Sequence, residues 1–126
     1  MTVNVTVWVV GDGNGSYAAD TVSVNTVISN ANQALRPTAI TLQLAGGVIN
    51  YTNNPDWVTL NYSNVVAGGY SYWVFPQALE NEIASLPKTV PGPRVVFVDT
   101  IRENVATKAG LHSMAKYIIL ANVAGG

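Results

Sequence analysis

Asp99, which closes the run Arg94-Val95-Val96-Phe97-Val98, and His112, the only histidine, are the side chains here whose types suit acid–base chemistry. Asp99 stands at the carboxyl end of an expected strand, where open α/β sheets place ligands. One histidine limits any triad to a single arrangement and excludes multi-histidine zinc sites, and Ser113 beside it has no recognisable nucleophile turn. Without a partner, His112 reads as an ordinary surface or loop histidine. Arg102 and Glu103 follow Asp99 closely enough for a polar cluster, whose plain reading is a local ion pair. Glu80 and Glu82 are two apart on a helical segment, so they point in different directions and do not suit paired-carboxylate catalysis. No catalytic set emerges, and Asp99 with His112 is kept as a candidate polar site.

Gly11-Asp12-Gly13-Asn14-Gly15 lies between an expected strand and an expected helix, where backbone N–H groups and the helix dipole converge on phosphates. No Lys-Ser/Thr pair follows, and no acidic residue lies near twenty positions on to hold a ribose, so a plain turn is the stronger reading. Asp12, Asn14 and Ser16 alternate as calcium-loop ligands do, but Tyr17 occupies the obligatory glycine position and Ser23 the bidentate glutamate position. No metal site and no cofactor are expected from these residues.

The best contact surface in the sequence is aromatic. Tyr70, Tyr72, Trp73 and Phe75, with Trp57 and Tyr62 upstream, offer a stacking platform for sugar or peptide, or an interface hot spot. Alternation puts Tyr70, Tyr72 and Val74 on one face and Trp73 and Phe75 on the other, one of the two being core. Trp57, Tyr70, Tyr72 and Trp73 are therefore the expected binding or interface residues. Sequons at Asn4, Asn14, Asn50 and Asn61 are of a kind that arises by chance in a chain rich in Asn, Thr and Ser.

The elements that must carry these residues follow from periodicity. Val3, Val5, Val7 and Val9 alternate with polar neighbours, which predicts a strand with one face buried. Asp20 or Ser23 caps a helix with Val24, Val27, Ile28, Ala31 and Leu35 at helical spacing, stopped by Pro37. Ile40, Leu42 and Leu44 restore a period of two up to Gly46-Gly47, and further strands are expected at 48–51 and 58–62 around the turn Asn53-Asn54-Pro55-Asp56. Pro76 opens and Pro87 closes a short helix with Leu79, Ile83 and Leu86 on one face. Residues 94–99 read as a strand buried on both faces, 101–116 as a loop or short helix, and 117–121 as the last strand. The expected fold is α/β or α+β, one domain spanning 1–126, a single mixed sheet with about two helices on one face.

Composition narrows the function classes. With 126 residues the chain buries roughly 68% of its unfolded surface. Charged residues are only 10%, less than half of the roughly 25% in ordinary soluble domains, while 48% are hydrophobic. No apolar run approaches the ~20 residues of a spanning helix, so no membrane partner is expected. Net charge is −1 with six scattered basic residues, which leaves no stripe to track nucleic acid. Cysteine is absent, which removes disulfides and thiolate chemistry, and Met1-Thr2-Val3-Asn4-Val5 has none of the pattern of a signal peptide.

Taken together, the strand 3–10, the helix 20–35, Ala39-Ile40-Thr41-Leu42-Gln43-Leu44, Asn53-Asn54-Pro55-Asp56-Trp57, the buried strand and Gly110-Leu111 before Tyr117-Ile118-Ile119-Leu120 resemble the N-terminal subdomain of metzincin-type zinc peptidases. The resemblance implies that a helix bearing His-Glu-x-x-His comes next, its histidines binding zinc and its glutamate activating water. That motif is not within 1–126, and no zinc ligand carries over onto any residue here.

Low charge, high apolar content and exposed aromatics make the first expectation a non-catalytic assembly subunit of a virion or extracellular particle. Its partners would be copies of itself or other particle subunits. The alternatives are part of a secreted zinc metallopeptidase whose motif lies outside this chain, and a carbohydrate- or peptide-binding module.

Overall fold

Valine at every second position, Val3 to Val9, favours an extended backbone, because β-branched side chains pack well on a pleated surface. These residues form β1 (Thr2–Gly11). The computed structural model describes residues 1–61, 63–67, 69–74, 77–103, 106–108, 110–112 and 117–121, with side chains for 1–61, 69 and 78–101 and the backbone alone for the rest. From Val5 to Gly11 only Trp8 of β1 is not fully buried, so the strand is covered on both faces rather than on the one expected. Its second face is not solvated because Val10 packs with Trp57, Leu60 and Ile83, and Trp8 packs against the same cluster. Trp8 Nε1–H donates to Pro87 O at 3.0 Å, and Thr6 N–H to Pro93 O at 3.0 Å.

β1 belongs to a five-stranded sheet with β2 (Thr41–Asn53), β6 (Arg94–Val98), β9 (Gly110–His112) and β10 (Tyr117–Ala121), in the order β2-β1-β6-β10-β9. The first four run parallel and β9 is antiparallel to β10, so the sheet is mixed, as expected. The run expected to be a buried central strand is the middle strand: Val95, Val96, Phe97 and Val98 are all buried. Residues 41–53 form one strand where two were expected. The register slips between Val5 and Val7, and Gly46 and Gly47, with φ of 64° and 67°, absorb the slip as a bulge.

Two smaller ribbons stand beside this sheet. β3 (Thr59–Asn61), β7 (Thr100–Glu103) and β8 (Ala106–Lys108) form one; β4 (Ser63–Ala67) and β5 (Tyr70–Val74) form the other. The described part of residues 101–116, expected as a loop or short helix, thus lies in three short strands, β7, β8 and β9. Tyr62, Gly68, Phe75, Pro76, Ser113 and Lys116 lie outside the described residues.

α1 (Thr21–Leu35) is capped by Asp20, whose carboxylate accepts the Ser23 N–H at 2.7 Å. α2 (Gln77–Ala84) is the second helix among the described residues. The helices pack on opposite faces, not on one. Val24 of α1 joins Val5, Val7, Val9, Val95 and Phe97, whereas Ile83 of α2 joins Val10, Val96, Val98, Trp57, Leu60 and Ile101. A central strand apolar on both sides requires a cover on each, and the alternation of β6 supplies one set of anchors to either helix.

Candidate functional site

The glycine loop after β1 is satisfied by its own atoms. Asp12 Oδ1 accepts the backbone N–H groups of Asn14 at 2.6 Å and Ser16 at 3.2 Å, and Asp12 N–H donates to Ser16 O at 3.0 Å. Ala18 N–H donates to Val10 O, which folds residues 16–18 back over the end of β1. Amides that would cradle a phosphate are thus given to a carboxylate, and a second carboxylate, Asp20, occupies the N-terminus of α1. The loop is a turn, and an anion would meet two like charges there. Hydrogen bonds from the backbone N–H and then the hydroxyl of Ser23 hold the Asp20 carboxyl below its ordinary value of 3.8.

Folding the loop back brings together two residues that periodicity does not single out. The Tyr17 ring crosses Gly11 and meets the Tyr51 ring edge-on, centroids 5.1 Å apart at 72°. Gly11 permits this, since a Cβ there would lie 2.7 Å from the Tyr17 ring and 2.6 Å from Asn53 Oδ1. The two rings, 45% and 43% exposed, border an open hollow of about 660 Å³ whose floor and wall are Ala18, Ala19, Asp20, Thr21 and Ser23. The only sequence signal for the pair is that Tyr51 continues the alternation of β2 and Tyr17 directly follows a glycine turn. On the opposite face, Thr6, Trp8, Asn50 and Lys88 contribute to a smaller cavity of about 320 Å³.

The expected site residues are scattered. Trp57 is a correction: it is only 5% exposed and packs in the core with Leu60, Ile83 and Ile101. Asn54 causes this, because its side chain accepts the Asp56 N–H and starts a 3-10 turn, Pro55–Trp57, that swings the indole inward. Tyr70, Tyr72 and Trp73 lie on β5, with Tyr72 opposite Val65 and Trp73 opposite Asn64. Asp99 is exposed just past β6 and accepts from Thr100 Oγ1 at 3.1 Å.

The register keeps Asp99 and His112 apart. His112 pairs with Ile118, and Ile118 with Val95, near the start of β6, whereas Asp99 follows the last residue of that strand. Strand geometry then separates them by about 13 Å along the sheet and about 10 Å across it. They do not form one polar site. Among the described residues no three His, Cys, Asp or Glu side chains come together to hold a metal. No described helix is long and apolar enough to cross a membrane.

Among the described residues, the backbone left without a strand partner lies at the two sheet edges. No described strand pairs with the outer side of β9 or of β2. Compared with known proteins, the chain matches no family model, no curated protein and no solved structure.

Proposed function

We propose that this chain is the substrate-lining part of a zinc peptidase, with the metal-binding helix contributed by sequence outside residues 1–126. The observation that carries the reading is β9, a short edge strand antiparallel to its only described neighbour. An extended peptide added to such an edge gains main-chain hydrogen bonds along its length, which is how a peptidase holds a substrate straight for attack. The resemblance in the order of elements to metzincin peptidases supports the same reading. No chemical step is assigned to residues 1–126, which contribute positioning.

The test begins with the encoding reading frame. It is expected to continue past Gly126 into His-Glu-x-x-His, and the longer protein to hydrolyse an extended peptide until a zinc chelator is added. A stop codon directly after Gly126, or chelator-insensitive inertness of the longer protein, overturns the proposal.

A second reading is favoured by a different observation. The 10% charged composition and the neutral outer edge of β2 support a self-associating subunit, of a virion or an extracellular particle. Light scattering across a concentration series separates the two: a large discrete oligomer supports the subunit, and a monomer or small oligomer leaves the peptidase.

A further inference from the structure

β2 is a long edge strand that, among the described residues, is protected over only part of its length. Native edges are blunted by charge, by proline or by cover, because their free N–H and C=O groups recruit other strands. No charged residue stands between Arg36 and Asp56. Protection exists at one end only, where Asn32 of α1 clamps the Leu42 backbone: its Oδ1 accepts the Leu42 N–H at 2.7 Å and its Nδ2 donates to Leu42 O at 3.0 Å. Past the bulge no described side chain clamps it in this way. Asn54 N–H donates to Gly11 O on β1, so by alternation Asn50 and Thr52 also face β1, while Ile49, Tyr51 and Asn53 turn their backbone groups outward.

We propose that residues 49–53 of β2 pair antiparallel with the same residues of a second copy of this chain, about a two-fold axis through Tyr51. The second copy is the occupant that charge selects. A two-fold axis sets each residue beside its own mirror register, so a charged edge repels itself and this neutral one does not. Register supports the same centre: Ile49 falls opposite Asn53 of the other copy and Tyr51 opposite Tyr51, so every outward-facing group meets an outward-facing partner. Shape supports it too. Tyr51 pairs with Val9, whose side chain lies on the α1 face, and the 660 Å³ hollow beside Tyr51 on that face has room for the incoming tyrosine ring. The pairing joins two five-stranded sheets into one and leaves β9, at the far edge, free. It is independent of the peptidase reading.

Cysteine is absent from the chain, so a single introduced thiol reports contact without ambiguity. In a hydrogen-bonded antiparallel pair the Cα atoms are about 5.5 Å apart, within the range a disulfide spans. Under mild oxidant Tyr51→Cys is expected to convert almost wholly to a covalent dimer. Val48→Cys, equally accessible at 52% exposure on the same strand, lies about 20 Å from its counterpart and is expected to stay unlinked. The unmodified chain is expected to reach twice its 13.3 kDa mass by light scattering. Equal linking of the two variants, a ladder of higher oligomers, or a wild-type monomer at every concentration overturns the proposal.

Discussion

Gly92 decides whether the approach to the central strand closes. Its φ is 138°, and a Cβ there would run into the carbonyl oxygen of Asn4 on β1. Only glycine lets Pro91-Gly92-Pro93 pass that close, and Lys88 Nζ fixes the turn by donating to Gly92 O at 2.9 Å. Gly92→Ala is therefore expected to cost about 3 kcal/mol, read as a lower urea midpoint; an unchanged midpoint would mean that the turn has room the geometry denies it. Asp20 acts by charge rather than shape. Its folded pKa is lowered, so its contribution is fully present above its unfolded value of 3.8 and is lost as pH falls through the lowered folded value. Asp20→Asn keeps an acceptor for the Ser23 N–H but cannot titrate. Its melting temperature is expected to lie below wild type near neutral pH and to converge on it in acid. A gap that stays constant with pH would remove the carboxylate from the account.

Among the elements, Trp57 separates a core role from a surface one. Trp57→Ala is expected to destabilise by about 3–5 kcal/mol, measured by denaturant unfolding, because it empties a packed site between the 3-10 turn and α2. A platform residue would lose little stability on truncation, so a change under about 1 kcal/mol would reinstate the surface reading. The sequence misleads here for a physical reason: an aromatic next to Asn-Pro-Asp looks like a loop residue, and nothing local reveals that Asn54 turns it inward. Elements with a sustained period, β1 and α1, or an unbroken apolar run, β6 and β10, were legible. The sequence pattern divides β2 in two because Gly46-Gly47 punctuates it, although a bulge lets pairing continue on both sides. β7, β8 and β9 are too short to show any period. Helix placement was the other miss. Apolar spacing on α1 and α2 says that each buries a stripe, while which face of the sheet it covers depends on strand order. Of the candidate site, the position of Asp99 beyond a buried strand was legible, but its distance from His112 depends on a register that no local pattern encodes.

At the scale of the whole molecule, the described sheet ends in two unlike edge strands, β9 at one side and β2 at the other, with a helix packed on each face between them. Few charges are available to tune either edge, so what docks there is governed by backbone hydrogen bonds and apolar area. That has a thermodynamic signature. A dimer held through the β2 edge binds the folded state and not the unfolded one, so melting temperature must rise with protein concentration by mass action. Ion pairs would make the rise fade in salt, since exposed charges are screened beyond about 8 Å at physiological ionic strength. Here the contact segment carries no charge, and the rise is expected to persist unchanged from low salt to about 1 M sodium chloride, where the screening length is about 3 Å. Tyr51→Lys opposes a lysine to its own copy across the two-fold axis, so its melting temperature is expected to be independent of concentration. Mixing it with Tyr51→Glu is expected to restore the concentration dependence, because the pair then faces opposite charges. Calorimetry over a hundredfold concentration range reads all three samples. If the lysine variant keeps the wild-type slope, the association does not run through Tyr51; if wild type loses its slope in salt, it runs through charged groups elsewhere on the chain.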